Sequence, residues 1–252
     1  ILDGTLRLAP VESGWIVLET EGVGSLAAMV DGLRAAGEDW PYTVGWIDCL
    51  ATGAGLGRGV LMRGRHATRA EVPSGDPRPR RALRVPMDAP EWLLSPPAMR
   101  AFNGLYYRLK AGRRRGGAGP HPSVVSYESF FYPLDMITDW NRLYGRRGFL
   151  QFQCVVPRAA GLAAVRELLE RIARAGAASF LAVIKDCGPA GPAPLSFPME
   201  GVTLGLDLPY RAPATMDHVH APKAVGIAAG GRIYLAKDAV TRAEDFARMT
   251  PR

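Results

Sequence analysis

The sequence predicts an α+β fold with a large antiparallel sheet and helices on one face of it. Two observations lead to this prediction. Segments in which apolar and hydrogen-bonding side chains alternate are interspersed with segments whose apolar residues recur at helical spacing. In the second half their order is strand, helix, strand, strand, helix, strand, as in ferredoxin-like split β-α-β units. The 252 residues suffice for one large domain or two small ones.

The first half, residues 1–67, is predicted to be an incomplete copy of this unit. Leu26, Met29, Val30 and Leu33 recur at helical spacing and predict a helix over 25–36, which Gly37 ends. Strands are predicted at 5–8, 15–20, 42–49 and 59–66, with a Gly-rich turn at 52–57.

The segment 68–122 is predicted to be a mobile connection inside a single domain, 1–252. Residues 68–90 are rich in Pro, Arg and Ala, which is typical of a long surface connection or lid. A weak helical pattern covers 97–109, and the sequence GRRRGGAGPHP follows it as a loop.

The second half, 123–252, has clearer patterns. Strands are predicted at 149–156, 179–187, 201–208 and 231–237. One helix is predicted at 160–175, where Gly176 ends it, and another at 215–229, where Pro222 interrupts the pattern.

Alternation along three of these strands separates an apolar face, which the helices can cover, from a face with hydrogen-bonding groups. The residues of this second set are Gln151, Gln153, Lys185, Thr203, Gly205 and Asp207. Such a set suits a concave wall that binds a polyhydroxylated ligand beside an aromatic cofactor. An antiparallel sheet with one solvated face gives the same alternation, so both interpretations stay open.

Composition narrows the class of protein. The formal charge of +7 is carried mostly by arginine, a skew that indicates a GC-rich genome before it indicates a partner, although basic charge can still attract phosphates or an acidic membrane surface. Cys49, Cys154 and Cys187 are odd in number and form no CxxC pair, which indicates a reducing compartment without a disulfide framework or structural zinc. No apolar run approaches the roughly 20 residues of a membrane span, and no signal peptide is evident. We therefore expect a cytoplasmic protein, with peripheral membrane contact left open.

Three other patterns are weak. His218 and His220 alternate as some metal ligands do, but no third ligand lies near in sequence, so we expect no metal site. The arginines at 113–115 lack interleaved aromatic residues and are typical of a solvated loop. The glycines at 53, 55 and 57 indicate a turn rather than a phosphate cradle, since no capped helix follows them.

Two segments carry a more specific pattern: FYPLDMITDWNRLYGRRGFLQFQCVVP at 131–157 and GGRIYLAKDA at 230–239. With YTVGWIDCLA at 42–51 and SFLAVIKDCG at 179–188, they make the chain resemble FAD-linked oxidases of the vanillyl-alcohol-oxidase superfamily. This group holds the decaprenylphosphoryl-β-D-ribose 2′-oxidases and the aldonolactone oxidases. The resemblance implies a cap domain whose antiparallel sheet covers the ring of an FAD cofactor. It also implies a separate N-terminal FAD-binding domain, which we expect to be absent from this chain.

The resemblance further implies roles for single residues. Lys237, in the AKD motif, matches a lysine near the flavin pyrimidine ring, where a cation stabilises the anionic reduced flavin. Gln153 and Tyr234 match residues beside the cofactor. Strict alternation would place Tyr234 and Lys237 on opposite faces of a strand, so we expect either a bend or bulge between them or only one of the two in the site. The expected catalytic residues are Lys237, Gln153 and Lys185.

The expected substrate-binding residues are Gln151, Lys185, Trp46, Phe131, Thr203, Gly205 and Asp207. The decaprenyl-sugar oxidases have asparagine, cysteine and tyrosine where this chain has Thr203, Gly205 and Phe131, so the substrate wall differs from theirs. The implied reaction oxidises a secondary alcohol of a sugar, sugar lactone or polyprenyl-phosphate sugar by hydride transfer to flavin N5. The alternative is a non-catalytic ferredoxin-like module that holds RNA or anionic lipid through its arginine-rich loops. No nucleic-acid partner is expected, because the strands lack stacking aromatic residues.

Overall fold

The computed structural model describes residues 3–37, 39–73, 83–111, 122–176 and 179–250. The strands in these ranges are β1 (Trp15–Val23), β2 (Tyr42–Ile47), β3 (Gly59–His66), β4 (Leu83–Arg84), β5 (Ser123–Ser126), β6 (Ile137–Thr138), β7 (Phe149–Pro157), β8 (Ala182–Cys187), β9 (Gly201–Pro209) and β10 (Arg232–Ile233). The helices are α1 (Leu26–Arg34), α2 (Pro96–Ala111), α3 (Tyr127–Phe131), α4 (Gly161–Ala175), α5 (Ala214–Ala228) and α6 (Ala243–Met249). Short 3-10 turns lie at Gly53–Gly55, Glu91–Leu94, Trp140–Tyr144, Arg158–Ala160 and Leu235–Lys237.

The predicted α+β class is confirmed by an eight-stranded sheet in the order β10-β7-β9-β8-β2-β3-β1-β5. Every neighbouring pair in this sheet is antiparallel. β4 and β6 form a separate parallel pair.

The large sheet consists of two ferredoxin-like units joined edge to edge. From here on, the second half of the sheet means the strands β10-β7-β9-β8, and the first half means the matching order β5-β1-β3-β2, although β5 comes from the segment 123–252. β5 supplies the fourth strand that the sequence did not reveal, so the first half is complete in its strands. The units meet where β2 pairs with β8, through Gly45 with Ile184 and Trp46 with Val183.

The two faces of the sheet are covered differently. On the core face, α1 lies against Gly45, where an added Cβ would meet Met29, and α5 lies against Cys154 through Gly226. α4 contributes Val165, Leu168, Leu169 and Ile172 to the same core, and its apolar stripe ends at Gly176 in the left-handed conformation. The prediction of helices on one face therefore holds for α1, α4 and α5.

The opposite face, called the second face below, carries α2 and α3, which lie mainly over the first half, and α2 reaches Phe180 of the second half through Phe102. The ring of Trp46 lies 4.6 Å from that of Tyr106 in α2. An added Cβ at Gly22 would overlap Ala111 at the end of α2, and one at Gly64 would meet Phe130 of α3. The weak helical pattern at 97–109 is thus a helix that packs on the sheet.

Three predicted strands differ from the structure. Residues 5–8 pair with no described strand, and Leu6 and Leu8 are 85% and 81% exposed. β8 begins at Ala182 rather than 179, because the Ser179 hydroxyl bonds both backbone groups of Leu181 in a local turn. The strand predicted at 231–237 ends at Ile233, because the Lys237 N–H closes a 3-10 turn on the Tyr234 carbonyl. That turn is the bend expected between Tyr234 and Lys237.

Candidate functional site

One row of directly paired residues crosses the second face and links the two halves. Consecutive pairs in the register are Gln153 with Gly205, Gly205 with Val183, Val183 with Trp46, Trp46 with Val60, and Val60 with Gly22. Strands lie about 4.8 Å apart, so the row spans roughly 24 Å. Its second-half part is the centre of the candidate site.

The polar wall is defined as the six predicted residues on the second face of β7, β8 and β9: Gln151, Gln153, Lys185, Thr203, Gly205 and Asp207. The register pairs Gln151 with Asp207, Gln153 with Gly205, and Lys185 with Thr203. Pairing brings these residues to one face although they come from three separate segments of sequence.

Hydrogen bonds between neighbouring strands order the two amides of the wall. Gln153 Nε2 donates to Thr203 Oγ1 at 3.1 Å. Gln151 Nε2 donates to Asp207 Oδ1 at 3.0 Å. Each amide is held by a short side chain on β9 and remains half-buried, whereas Lys185 is exposed. The wall therefore has fixed amides and one free-standing ammonium group.

Asp207 is the buried end of the wall, at 3% exposure. Its Oδ2 accepts no hydrogen bond from the described residues. Burial raises the pKa of the Asp207 carboxyl, while the hydrogen bond from Gln151 and the positive charge of Lys237 act in the opposite direction. Burial, with the charge of Asp207 adding to it, also raises the pKa of the Tyr144 phenol. Tyr144 is thus a neighbour of Asp207, and it gave no sequence signal because it lies in an irregular 3-10 turn.

Lys237 and Tyr234 reach the wall through the turn after β10. The Tyr234 N–H donates to the Gln153 carbonyl at 2.8 Å, which docks the turn on β7. The ring of Tyr234 packs against Phe197, with centroids 4.7 Å apart. Lys237 is half-buried, and its charge acts on Asp207. The ring of Tyr234 is thus turned toward Phe197, whereas the charge of Lys237 is close enough to the wall to act on Asp207.

Trp46 and Phe131 lie toward the first half. Trp46 continues the row beyond Val183, but it is only 6% exposed under Tyr106, and its indole N–H donates to the Phe180 carbonyl at 2.9 Å. Phe131, in α3, is 40% exposed and packs edge-on against Tyr42, with ring centroids 4.8 Å apart. The structure thus brings together the wall and Lys237, with Trp46 at its covered border and Phe131 beyond it.

The residues of the wall fit the cofactor that the sequence implies. A flavin ring is flat, with apolar faces and a pyrimidine edge of N–H and C=O groups. Gly205 has no side chain to rise above the sheet, so Gly205 and Val183 form a shallow part of the wall, called the low strip below. An added Cβ at Gly205 would make only ordinary contact, 3.7 Å, with Gln153. The Gln153 amide borders that strip, and it offers a donor and an acceptor of the kind that such an edge pairs with.

The remaining patterns lie elsewhere. His218 and His220 fall on α5, and no group of three His, Cys, Asp or Glu within the described ranges could hold a metal ion. Gly53–Gly55 forms a 3-10 turn, and the arginines at 113–115 lie outside the described residues. No helix in the part of the chain that the structure describes has the length and apolar character to cross a membrane.

Comparison with known proteins agrees with the sequence pattern. No protein-family model matches the chain. Over its whole length the chain is 34% identical to decaprenylphosphoryl-β-D-ribose oxidase of Mycolicibacterium smegmatis, in an alignment of 262 residues. It is 30% identical, over 266 residues, to an uncharacterised protein encoded in the mprA 5′ region of Streptomyces coelicolor. The chain spans about half of the first relative, 54% of its length, and 69% of the second.

Proposed function

Since the chain belongs to the family of FAD-linked oxidases that includes decaprenylphosphoryl-β-D-ribose oxidase, we propose that it forms the substrate side of a flavin-dependent oxidoreductase. The substrate is a secondary alcohol of a sugar, a sugar lactone or a polyprenyl-phosphate sugar. When bound, FAD supplies the hydride acceptor, its N5 atom, that turns the alcohol into a ketone or lactone.

The observation that carries this proposal is the convergence of Lys237 and the polar wall on one partly exposed face. The turn after β10 holds Lys237 against β7, where its charge reaches Asp207. A fixed cation in a half-buried position favours negative charge beside it more strongly than a solvated one. Lys237 and the Gln153 amide would therefore hold the pyrimidine edge of FAD.

The rest of the wall suits a ligand with several hydroxyl groups. Gln151 and Lys185 lie on the same face as Gln153 and offer an amide and an ammonium group. Their role would be to orient the alcohol, and correct orientation accounts for a large part of the rate in reactions between two bound groups. Gly205 leaves the centre of the wall free of side chain, so that the ligand can approach the sheet.

A chimera tests the proposal directly. Residues 1–252 would replace the matching region of the M. smegmatis oxidase, so that both halves of a family member are present. We expect the chimera to bind FAD, and its visible flavin absorbance to bleach without oxygen when a sugar, lactone or polyprenyl-phosphate sugar alcohol is added. Lys237→Ala is expected to slow bleaching by at least about tenfold.

Arg174→Ala is the matched control. It also removes one positive charge, but from α4, which packs on the core face, and Arg174 is an exposed partner of Glu170. This variant should bleach at the rate of the unchanged chimera. A folded chimera that binds FAD but is reduced by none of the three alcohol classes would contradict the proposed reaction.

A further inference from the structure

The two glutamines of the polar wall have chemically different partners. Gln151 donates from Nε2 to the carboxylate of Asp207, and Gln153 donates from Nε2 to the hydroxyl of Thr203. An ionised carboxylate can only accept hydrogen bonds, whereas a hydroxyl can accept or donate. The carboxylate therefore allows one orientation of the Gln151 amide, and the hydroxyl allows two orientations of the Gln153 amide.

The fixed orientation leaves the Gln151 carbonyl oxygen available. Its Oε1 accepts no hydrogen bond from the residues that the structure describes, and the side chain is half-buried on the second face. Asp207 itself is nearly inaccessible: Oδ1 is occupied by Gln151, and Oδ2 is buried. A ligand on the wall would therefore meet Gln151 and would not touch Asp207.

We propose that Asp207 is a positioning residue, which fixes the Gln151 amide so that its Oε1 accepts a hydrogen bond from a ligand hydroxyl. The proposal rests on the proposed function, because it assumes that a hydroxyl-rich ligand binds the wall. It assigns Asp207 a role behind the wall instead of the direct substrate contact that the sequence led us to expect.

The ionised form of Asp207 is the form that positions Gln151. The titratable groups that face it are Lys237, from the turn after β10, and Tyr144, from the 3-10 turn before β7. Lys237 favours the carboxylate, and burial disfavours it. A protonated Asp207 could donate to Gln151 Oε1, so the amide could turn and present Nε2 to the ligand.

Nuclear magnetic resonance of the chain itself tests the orientation without flavin or substrate. The side-chain amide signals of Gln151 would be assigned by their loss in Gln151→Ala. We expect them to shift as Asp207 titrates, and to lose this pH dependence in Asp207→Asn. Thr203→Val, the matched control, should move the Gln153 signals and leave those of Gln151 in place. Gln151 signals that do not shift as Asp207 titrates would overturn the proposal.

Kinetics of the chimera test the consequence. In Asp207→Asn the new amide can donate to Gln151 Oε1, so KM for the alcohol should rise about five- to tenfold, with kcat changed less. Combining Asp207→Asn with Gln151→Glu exchanges amide and carboxylate and restores an acceptor on the open side, so KM should return toward its original value. A folded double variant that keeps the raised KM would contradict the positioning role. A confirmed amide orientation with no alcohol oxidation would instead count against the proposed function alone.

Discussion

In the first half of the sheet α2 and α3 pack on the second face, whereas in the second half the same face stays partly exposed as the polar wall. The strand orders match, and a rotation that exchanges Trp46 with Val183 also exchanges Val60 with Gly205 and Gly22 with Gln153. One half has a glycine where the other has an amide. The same framework thus gives a packed face in one half and a partly exposed face with hydrogen-bonding groups in the other, depending on what covers it.

The covered half is held by a buried polar contact as well as by aromatic packing. Asn103 of α2 donates to Asp48 at 2.9 Å, and the same carboxylate accepts two hydrogen bonds from Arg58, at 3.1 and 2.7 Å. A buried carboxylate with several donors is stabilised only while its partners stay in place. This contact ties α2 to the end of β2 and keeps Trp46 covered.

The open half depends on a different buried contact, and removing it should give the largest loss of stability. Lys223 of α5 donates to Asp245 of α6 at 2.6 Å and to the Val240 carbonyl at 2.9 Å, which anchors the segment after Lys237. Lys223→Met keeps the volume but removes the buried ammonium group from Asp245, which keeps only the backbone hydrogen bond and the charge of Arg242. We expect the free energy of unfolding, measured with urea, to fall by about 3 kcal/mol.

An exposed ion pair provides the comparison for this prediction. Arg174 pairs with Glu170 along α4, where both side chains are well exposed. Arg174→Gln should change the unfolding free energy by less than about 0.5 kcal/mol. Equal losses in Lys223→Met and Arg174→Gln would show that the anchor under α6 is no stronger than a surface pair.

The next largest effect concerns two glycines of the row, Gly22 at its first-half end and Gly205 next to its second-half end. A Cβ at Gly22 would overlap the backbone and side chain of Ala111, so Gly22→Ala must displace α2 and should cost about 1–3 kcal/mol in unfolding free energy. Gly205→Ala adds the same methyl group on the partly exposed wall, where it meets only the Gln153 side chain at 3.7 Å.

Thermal unfolding of the two variants tests whether the packing of α2 on the second face is what makes the two glycines respond differently to the same methyl group. Gly205→Ala should unfold close to the unchanged chain, because nothing has to move. It should still weaken ligand binding in the chimera, because the methyl group fills the low strip. If Gly22→Ala were as stable as Gly205→Ala, α2 would not be packed on β1 as described.

The sequence predicted most of the second half because its patterns are local. Helical spacing in α4 and alternation in β7 and β9 show which side chains of each element are buried. The prediction that Gln151, Gln153 and Asp207 share one face therefore required only the spacing of residues along the strands. A bend between Tyr234 and Lys237 was also among the predictions, because strict alternation along a strand would have placed these two residues of the matched motif on opposite faces.

The first half was harder to predict because its decisive contacts are long-range. β5 is only four residues long, Ser123–Ser126, and it pairs with β1 from more than 100 positions away. α2 has apolar residues on both its buried and exposed sides, such as Met99 and Phe102, which obscures its packed face. The burial of Trp46 under Tyr106, and the place of Tyr144 beside Asp207, depend on tertiary packing that no local pattern records.

The smallest predicted effect is the pH dependence that Asp207 gives to stability. Its pKa in the folded protein is raised above the ordinary value, chiefly by burial, so the native state binds a proton more readily than the unfolded chain. The unchanged protein should therefore gain unfolding free energy relative to Asp207→Asn as the pH falls through the folded pKa toward the ordinary carboxyl range.

Asp245 gives the opposite sign, because the hydrogen bond from Lys223 lowers the pKa of its carboxyl. Relative to Asp245→Asn, the unchanged protein should lose stability on acidification below the ordinary carboxyl pKa. Urea titrations of the three proteins across the acid range measure both trends. A loss at both sites would mean that the hydrogen bond from Gln151 and the charge of Lys237 outweigh burial at Asp207.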